Sequence, residues 1–215
     1  LKKLGKKVIF DSHEDVPRDI LSKKYLKFFS NYIVSYLYKV FEKLACAKLD
    51  AIIAATPYIR DKFLDINPNS VDINNFPLLG ELENTTDWIE KRDEVVYVGG
   101  IARIRGIEQL VKAFGLIDDV RLNLAGVFSE QSLEDSIKKL GEWGAVNELG
   151  FLNRQEVNAV LAKSKAGLVT LHPIINYIDA LPVKMFEYMA AGIPVIASNF
   201  SLWREIVEGN QCGVC

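Results

Sequence analysis

Cysteine, histidine and methionine are scarce in this chain. Its 215 residues include three cysteines, two histidines and two methionines. So few cysteines exclude a disulfide-rich secreted scaffold and fit a reducing compartment, so we expect a cytoplasmic protein. Cys212 and Cys215 form one C-x-x-C, but no second pair accompanies it and it does not open a helix after a strand. We interpret both as ordinary residues.

Long apolar runs and metal-binding motifs are also missing. No run reaches the roughly 18 apolar residues that a membrane-spanning helix needs, which excludes a helical integral membrane segment in this sequence. No Asp-x-Asp motif and no set of His and Cys residues at metal-ligand spacing occurs. We therefore expect no metal and no cofactor. We also expect no nucleic acid partner.

The composition is that of a globular protein with a core, because 49% of the residues are hydrophobic and 25% are charged. The formal net charge of −2 is unevenly distributed. Residues 1–50 contain eleven Lys and Arg against six Asp and Glu, and the remainder contains fifteen against twenty-two. The basic segment indicates either an anionic surface or ligand near this part of the chain, or a solvated lysine-rich face.

Hydrophobic periodicity organises the first part of the chain. Aromatic and apolar residues at spacings of three and four predict one or two amphipathic helices between residues 19 and 48. Thr56-Pro57 predicts a further helix start, because Thr suits the N-cap and Pro the first helical position. Short apolar runs predict buried strands at residues 7–11, 51–55 and 70–73.

A polar, acidic segment at residues 80–93 predicts a domain boundary, with domains at residues 1–85 and 86–215. Beyond it, strands and helices alternate with short connections. This alternation predicts a parallel sheet covered by helices on both faces, with ligands beyond the carboxyl ends of its strands. The predicted strands span residues 94–98, 120–125, 146–149, 166–170 and 193–197, and the predicted helices span residues 106–114, 129–143, 154–163, 183–191 and 202–208.

A glycine loop, V-G-G-I-A-R-I-R-G, occupies residues 98–106 between a predicted strand and helix. Gly99 and Gly100 allow a ligand to approach the backbone closely. The N-terminus of the following helix attracts anions. The guanidinium groups of Arg103 and Arg105 can each donate two parallel hydrogen bonds to phosphate oxygens. The spacing is not that of G-x-G-x-x-G or of a P-loop. The loop predicts a diphosphate site; the alternative is a junction that binds nothing.

A second constellation, D-A-L-P-V-K-M-F-E-Y-M-A-A-G-I-P-V-I-A, begins at Asp179. Pro182 is predicted to start a helix that carries Glu187 on its second turn. A carboxylate can accept hydrogen bonds from two vicinal hydroxyls, so Glu187 suits a ribose, while Asp179 can reach another part of the same ligand. Lys184 lies in the first helical turn, where the helix dipole disfavours a cation, and this indicates an anionic ligand. The alternative is that Glu187 is an ordinary surface residue.

This segment resembles the donor-site signature of the retaining glycosyltransferases of family 4, which have the GT-B fold. In that family two acidic residues, separated by seven others, precede a helix of small residues and a G-x-P-V strand. Asp179 and Glu187 form the pair here, with Asp where Glu is usual. Residues 182–190 are similar to a subgroup with the motif P-x-K-x-F-E-Y-M-A. The glycine loop resembles the family pattern G-x-L-x-x-x-K-G, with Arg105 in place of Lys and Gly100 where Arg is often found.

The resemblance extends along nearly the whole chain. F-D-S-H-E-D at residues 10–15 is similar to a late strand and loop of the family's N-terminal domain, and L-G-F-L at residues 149–152 to the segment that faces the nucleotide base. The implied fold is α/β of the GT-B type, with two doubly wound, Rossmann-like parallel-sheet domains. We expect the first domain to be incomplete and the second to lack its end, because the chain opens at Leu1 without a Met and stops at Cys215 within an apparent element.

The resemblance implies transfer of a sugar from a nucleoside diphosphate to a hydroxyl with retention, on a glycan or lipid-linked acceptor in polysaccharide or glycolipid biosynthesis. It implies that Asp179 and His13 are catalytic: Asp179 binds sugar hydroxyls and faces the oxocarbenium-like transition state, and His13 contacts the donor sugar or acts as acid or base. The implied donor-binding residues are Gly99, Gly100, Arg103, Arg105, Gly150, Phe151, Ala180, Leu181, Pro182, Lys184 and Glu187. Arg103 or Lys184 would supply the phosphate contact for which Gly100 has no side chain.

Several alternatives remain open at this level. His13 could be a strand-end residue with a structural hydrogen bond, and His172 could line the pocket or lie outside it. The aromatic, lysine-rich segment 23–44 could lie on a membrane surface, placing the protein at the inner face, or could pack against the N-terminal sheet. Two rival functions are a non-catalytic nucleotide-binding subunit of the same fold and a sugar-nucleotide epimerase. We expect residues 1–215 by themselves to be inactive.

Overall fold

The computed structural model describes residues 1–22 and 28–215, with the side chains of residues 28 and 29 also left undescribed. The chain divides into two compact units. The first comprises Leu1–Asn75 with Ile174–Leu181, and the second comprises Phe76–Pro173 with Pro182–Cys215. This division falls earlier than the predicted boundary after residue 85. It also groups residues 174–181 with the first unit, although the sequence placed them in the donor-binding domain.

The first unit has a three-stranded parallel sheet in the order β1-β2-β3. Its elements are β1 (Ile9–Ser12), α1 (Val16–Ser22), α2 (Phe28–Cys46), β2 (Ala51–Ala54), α3 (Pro57–Leu64) and β3 (Ser70–Asp72). Ile52, Ile59 and Phe63 are buried between the sheet and α3. The helix start at Thr56-Pro57 is confirmed, because the Thr56 side chain accepts a hydrogen bond from the amide of Ile59.

Helix α2 has an unusual distribution of polar and apolar side chains. Asn31, Ser35 and Glu42 are buried, and the Ser35 hydroxyl donates to the carbonyl of Pro17 at 2.7 Å. Lys62 pairs with Glu42 at 2.6 Å and with Asp15 at 2.9 Å, which places a compensating charge beside the buried Glu42 carboxylate. The opposite face is apolar and exposed, and is formed by Tyr32, Ile33, Val34, Tyr36, Leu37, Val40, Phe41 and Leu44. We call these eight residues the apolar face of α2.

The second unit has a six-stranded, all-parallel sheet in the order β6-β5-β4-β7-β8-β9. Its strands are β4 (Glu94–Val98), β5 (Arg121–Ala125), β6 (Val146–Gly150), β7 (Ala166–Val169), β8 (Val195–Ala197) and β9 (Gly213–Val214). Its helices are α4 (Ile107–Phe114), α5 (Gln131–Lys138), α6 (Arg154–Lys163), α7 (Val183–Ala190) and α8 (Ser201–Val207). The predicted alternation of strands and helices is confirmed.

One predicted helix is wrong in extent. The sequence predicted a helix over residues 129–143, but α5 ends at Lys138 and a 3-10 helix follows at Gly141–Ala145. Glycine is a poor helix former, and Gly141 and Gly144 lie in the stretch where the α-helix is lost. Strand β9 was not predicted, since two residues carry no periodicity.

The order of the second sheet reverses between β4 and β7. The chain runs outward from β4 through β5 and β6, and then returns to β7 on the other side of β4. Such a reversal opens a crevice at the carboxyl ends of the two central strands. The Tyr188 ring of α7 packs beside Gly167 of β7, where a Cβ atom would come within 2.3 Å of it. Its hydroxyl accepts a hydrogen bond from the amide of Val98 at 3.0 Å, so α7 is anchored at this crevice.

No described helix is long and apolar enough to cross a membrane.

Candidate active site

The glycine loop after β4 forms one wall of the crevice. Gly99 has φ +133°, and a Cβ there would lie 2.8 Å from Nζ of Lys184. Arg103–Arg105 forms a 3-10 turn that ends at Gly106 with φ +67°. Gly99 and Gly106 therefore have backbone conformations that residues with a side chain rarely adopt. Gly126, after β5, was not predicted, yet a Cβ on it would come within 1.9 Å of the Gly99 carbonyl oxygen.

Two hydrogen bonds to backbone carbonyls hold this loop against the end of β7. The hydroxyl of Thr170 donates to the carbonyl of Arg105 at 3.0 Å. The amide of His172 donates to the carbonyl of Ile104, also at 3.0 Å. The loop is thus fixed by the strand on the far side of the reversal. His172 contributes its backbone to this arrangement, and its role in lining the pocket stays a prediction.

A pocket of about 280 Å³ lies at the carboxyl ends of β4, β5 and β6. It is lined by Val98, Gly99, Gly100, Ala125, Gly126, Val127, Phe151 and Leu152. Gly150 ends β6 with φ +67°, and its carbonyl accepts a hydrogen bond from the amide of Gly126 at 2.7 Å. The structure therefore brings the glycine loop and the Gly150-Phe151 segment to one cavity. Its size approaches that of a small-ligand site.

Lys184 lies beside the glycine loop. Its Nζ is 3.9 Å from the centroid of the Tyr97 ring, and the Tyr97 hydroxyl donates to the carbonyl of Gly100 at 2.9 Å. The ammonium is buried and has no hydrogen-bond partner among the described residues. Burial, together with a smaller effect of the Arg105 charge, lowers the pKa of Lys184 to about 7, against the opposing effect of the Glu187 carboxylate. A buried amine that lacks a hydrogen-bond acceptor is well placed to receive an anion.

Glu187 is ion-paired in the structure. Its Oε1 accepts a hydrogen bond from Nη1 of Arg154 at 2.5 Å, and its side chain is 14% exposed. Arg154 also binds both carboxylate oxygens of Glu81, at 2.7 and 2.9 Å. These contacts raise the pKa of Arg154 and lower that of Glu81. The guanidinium thus holds Glu187 in one orientation and leaves its Oε2 without a hydrogen-bond partner among the described residues.

The local sequence explains why Arg154 is in this place. Asn153 caps α6 by accepting hydrogen bonds from the amides of Gln155 and Glu156, and the Glu156 carboxylate accepts one from the Asn153 amide. Arg154 is therefore the first residue of α6. Neither Arg154 nor Glu81 was predicted from the sequence. A cation in the first turn of a helix was the signal that could have indicated Arg154, as it did for Lys184.

In the motif at residues 182–190, some side chains pack in the core and others face the crevice. Met185 and Tyr188 are fully buried in the core, and Phe186 packs edge-on against Phe76 with ring centroids 4.6 Å apart. Lys184 and Glu187 lie on the side of α7 that faces the crevice. Pro182 is the N-cap of α7 rather than its first residue.

Asp179 belongs to the first unit together with Ala180 and Leu181. Its carboxylate accepts a hydrogen bond from Nη1 of Arg18 at 2.8 Å, and Arg18 also lies over the Tyr58 ring at 4.5 Å. Nearby, the Asn176 amide donates to Asp19 at 2.9 Å. The segment 174–181 is therefore attached to α1 by polar contacts that the sequence analysis did not predict.

His13 follows β1 in the first unit and is exposed. Its Nε2 lies 3.1 Å from Oδ2 of Asp11, which is the structural hydrogen bond considered as the alternative to a catalytic role. The predicted site residues are thus divided: the glycine loop, Gly150, Phe151, Pro182, Lys184 and Glu187 lie in the second unit, and His13, Asp179, Ala180 and Leu181 in the first. The exposed Arg103 lies in the 3-10 turn of the loop. Within residues 1–22 and 28–215, no cluster of three potential metal ligands occurs.

Comparison with known proteins decides the family. The family described as Glycosyl transferases group 1 matches residues 81–215. The chain belongs to this family. A comparison with curated protein sequences found no match.

Solved structures show the fold of this glycosyltransferase family chain. Sucrose-phosphate synthase from Thermosynechococcus elongatus matches 96% of the chain at 19% identity and a TM-score of 0.68. HepE from Anabaena, in complex with UDP, matches 100% at 18% identity and a TM-score of 0.72. WaaG, a glycosyltransferase involved in lipopolysaccharide biosynthesis, matches 100% at 15% identity and a TM-score of 0.67. The predicted GT-B fold is confirmed. The matches span 53%, 59% and 65% of these three chains, respectively.

Proposed function

We propose that the protein transfers a sugar from a nucleoside-diphosphate sugar to a hydroxyl group with retention of the anomeric configuration. One observation carries this proposal. The Gly99-Gly100 loop lines a pocket, and beside this loop lies the buried amine of Lys184, which has no hydrogen-bond partner among the described residues. The same helix, α7, carries the Glu187 carboxylate, which Arg154 holds in one orientation. A diphosphate suits the ammonium and the glycine loop, and a ribose suits the carboxylate. HepE has been solved with UDP-glucose, which supports a nucleotide sugar as the donor.

In this proposal, Lys184, Arg105 and Arg103 stabilise the leaving diphosphate. Positive charge placed in advance at the departing group is often the largest catalytic contribution. We propose that these side chains supply it, so that no metal or other cofactor is required. The bond between the anomeric carbon and the diphosphate breaks, the acceptor oxygen bonds to that carbon, and the hydroxyl proton leaves with the diphosphate.

The remaining roles concern the sugar and the base. Glu187 binds the ribose hydroxyls through the oxygen that Arg154 leaves free. Gly150 and Phe151 contact the base. Asp179, Ala180 and Leu181 contact the sugar, and His13 acts near the anomeric carbon. The acceptor is a glycan or a lipid-linked glycan of a polysaccharide or glycolipid pathway. We propose that residues 1–215 by themselves bind the donor without transferring sugar, and detectable transfer by them would contradict this.

Thermal stabilisation by nucleotide sugars tests the donor site. A ligand present at 100 times its Kd stabilises the native state by about 2.7 kcal/mol, so UDP-glucose should raise Tm by several degrees.

Gly99→Ala should weaken binding by about tenfold or more, because the Cβ displaces Lys184 and strains a backbone with φ +133°. Gly144→Ala is the matched control, since a Cβ there meets nothing within 4 Å. A panel with other nucleoside diphosphates identifies the base. If no nucleotide sugar stabilises the protein, the proposed function is wrong.

A non-catalytic nucleotide-binding subunit is the second candidate. The observation that favours it is the ion pair between Arg18 and Asp179, which occupies the carboxylate that would bind the sugar. Both candidates bind the donor, so only turnover by the full-length protein separates them. Release of the nucleoside diphosphate that depends on an acceptor supports the transferase.

The apolar face of α2 supports a proposal of peripheral membrane contact, at the cytoplasmic face. Of the segment 23–44, residues 23–27 lie outside the described part of the chain. Large apolar side chains beside lysines are typical of helices that lie on membranes. Tyr36→Ser with Leu37→Ser should reduce sedimentation with vesicles containing anionic lipid at least several-fold. Tyr58→Ser with Leu64→Ser, exposed apolar residues of α3, is the control. Unchanged sedimentation would favour packing of α2 against protein instead.

A further inference from the structure

The surroundings of Lys184 disfavour a charge when the site is empty. Among the described side chains, its Nζ is the only buried nitrogen without a hydrogen bond. The groups that face it come from three elements. Strand β4 contributes the Tyr97 ring, the glycine loop contributes Arg105, and α7 contributes Glu187.

Together, these three groups do not compensate the free-energy cost of burying a charge on Lys184. The Tyr97 ring attracts a cation, since its face is electron-rich. The carboxylate of Glu187 attracts it too, but the Oε1 of this carboxylate is bound to Arg154. Arg105 repels it, with Nη1 of Arg105 and Nζ of Lys184 both close to the position of a Cβ on Gly99, at 3.4 and 2.8 Å. The Nζ atom is buried, and no described group accepts a hydrogen bond from it.

A diphosphate in the pocket would reverse this balance. Each phosphate oxygen is a strong acceptor, and its charge opposes that of Arg105 and of an ammonium at once.

We propose that Lys184 is neutral in the empty site and takes up one proton from solvent when the donor diphosphate binds, so that donor affinity is controlled by pH. This inference rests on the proposed function. Burial lowers the pKa of Lys184 to about 7 in the empty protein. A bound diphosphate would raise that pKa, since an opposite charge favours the ammonium. Above about pH 7, binding must therefore include protonation, and the Kd should rise by up to tenfold per pH unit.

Calorimetry with UDP-glucose measures the proton directly. Its diphosphate is esterified at both ends and lacks the terminal phosphate proton that titrates at a pKa of about 6 in a phosphate monoester. Titrations at one pH in two buffers of different ionisation enthalpy give the number of protons taken up. We expect nearly none at pH about 6 and close to one at pH about 8.

Two substitutions of Lys184 distinguish the effect of its positive charge on donor binding from the effect of its proton uptake. Lys184→Arg carries a permanent charge, so it should bind without proton uptake and with little pH dependence. Lys184→Met should bind more weakly, again without uptake. Lys91→Arg is the control: Lys91 is also buried with a lowered pKa, but it donates to the carbonyl of Ala162 and precedes β4 at the opposite end of the strand. It should keep the full uptake.

The outcomes distinguish this inference from the proposed function. Binding of UDP-glucose without proton uptake at pH about 8, or equal uptake by Lys184→Met, overturns the role of Lys184 and leaves the donor site standing. If no nucleotide sugar binds at any pH, the proposed function fails and the inference fails with it. Uptake that is lost in both Lys184 variants and kept in Lys91→Arg supports it.

Discussion

Glu187→Gln should lower kcat/KM for the donor by about 10- to 100-fold, because a charge-assisted hydrogen bond contributes about 1.5–3 kcal/mol. The substitution keeps the shape of the side chain and removes its charge. Two effects add in the same direction. The ribose loses its ionised acceptor, and Arg154 loses the carboxylate that it contacts at 2.5 Å. The measurement is donor turnover at several UDP-glucose concentrations with the full-length protein.

Glu81→Gln is the matched control for this prediction. Glu81 binds the same guanidinium through both oxygens and undergoes the same chemical change, but it is more exposed than Glu187. Exposed ion pairs contribute little, so we expect a change of less than about threefold. Equal losses in the two variants would show that Glu187 acts only through Arg154.

The ribose assignment has its own readout. Wild-type protein should prefer UDP-glucose over its 2′-deoxy analogue, and Glu187→Gln should reduce this preference. Arg154→Met should reduce it as well, because it frees Glu187 from its fixed orientation. The double variant should then lose less than the sum of the two single changes, as contacting residues do. A preference that Glu187→Gln leaves unchanged contradicts the ribose contact.

Lys184→Met should make the empty protein more stable at low pH, in contrast to its effect on donor binding. The pKa of Lys184 is about 7 in the folded protein and about 10.4 in an unfolded chain. Between these values the unfolded state binds more protons, so stability of the wild type rises with pH through this window. Below about pH 7 the cost of burying the charge is fully present. The difference between variant and wild type should therefore be largest near pH 6 and vanish by about pH 10.

We expect the stabilisation near pH 6 to be about 2–4 kcal/mol, because removing a buried, poorly compensated charge in favour of an apolar side chain of similar length has effects of this size. The corresponding rise in Tm is roughly 5–15 °C. Thermal melts at a series of pH values measure it. Lys91→Met is the comparison, and it should not stabilise because it leaves the carbonyl of Ala162 without its donor. A lower Tm for Lys184→Met near pH 6 would show that the ammonium is well solvated in the empty site.

The sequence predicted the elements around the site because their signals are local. Buried runs of apolar residues placed β4 and β7, and Thr56 with Pro57 placed the start of α3. Gly99 and Gly100 indicated a loop whose backbone a ligand can approach closely, and in the structure Gly99 and Gly106 of this loop have positive φ. Where a signal was ambiguous the prediction was wrong, as in the helix over residues 129–143, whose apolar spacing continues past Gly141 although α5 ends at Lys138.

Residues whose partners are distant in the sequence were not predicted. Arg154 contacts Glu81, 73 residues earlier, and Glu187, 33 residues later. Neither spacing is a local pattern, so neither predicts a contact. Similarly, nothing near Asp179 in the chain indicated Arg18, which is 161 residues away.

By itself, the sequence determined the class of fold, the order of the helices and of the strands before β9, and the residue types of the proposed donor site. These follow from periodicity, capping and glycine conformations, each of which involves neighbours within a few residues. Only the tertiary structure decided that Lys184 lies against Tyr97 without an acceptor, and that Glu187 is held by Arg154. Burial and the pairing of charges depend on which elements meet, and that depends on packing of the whole unit.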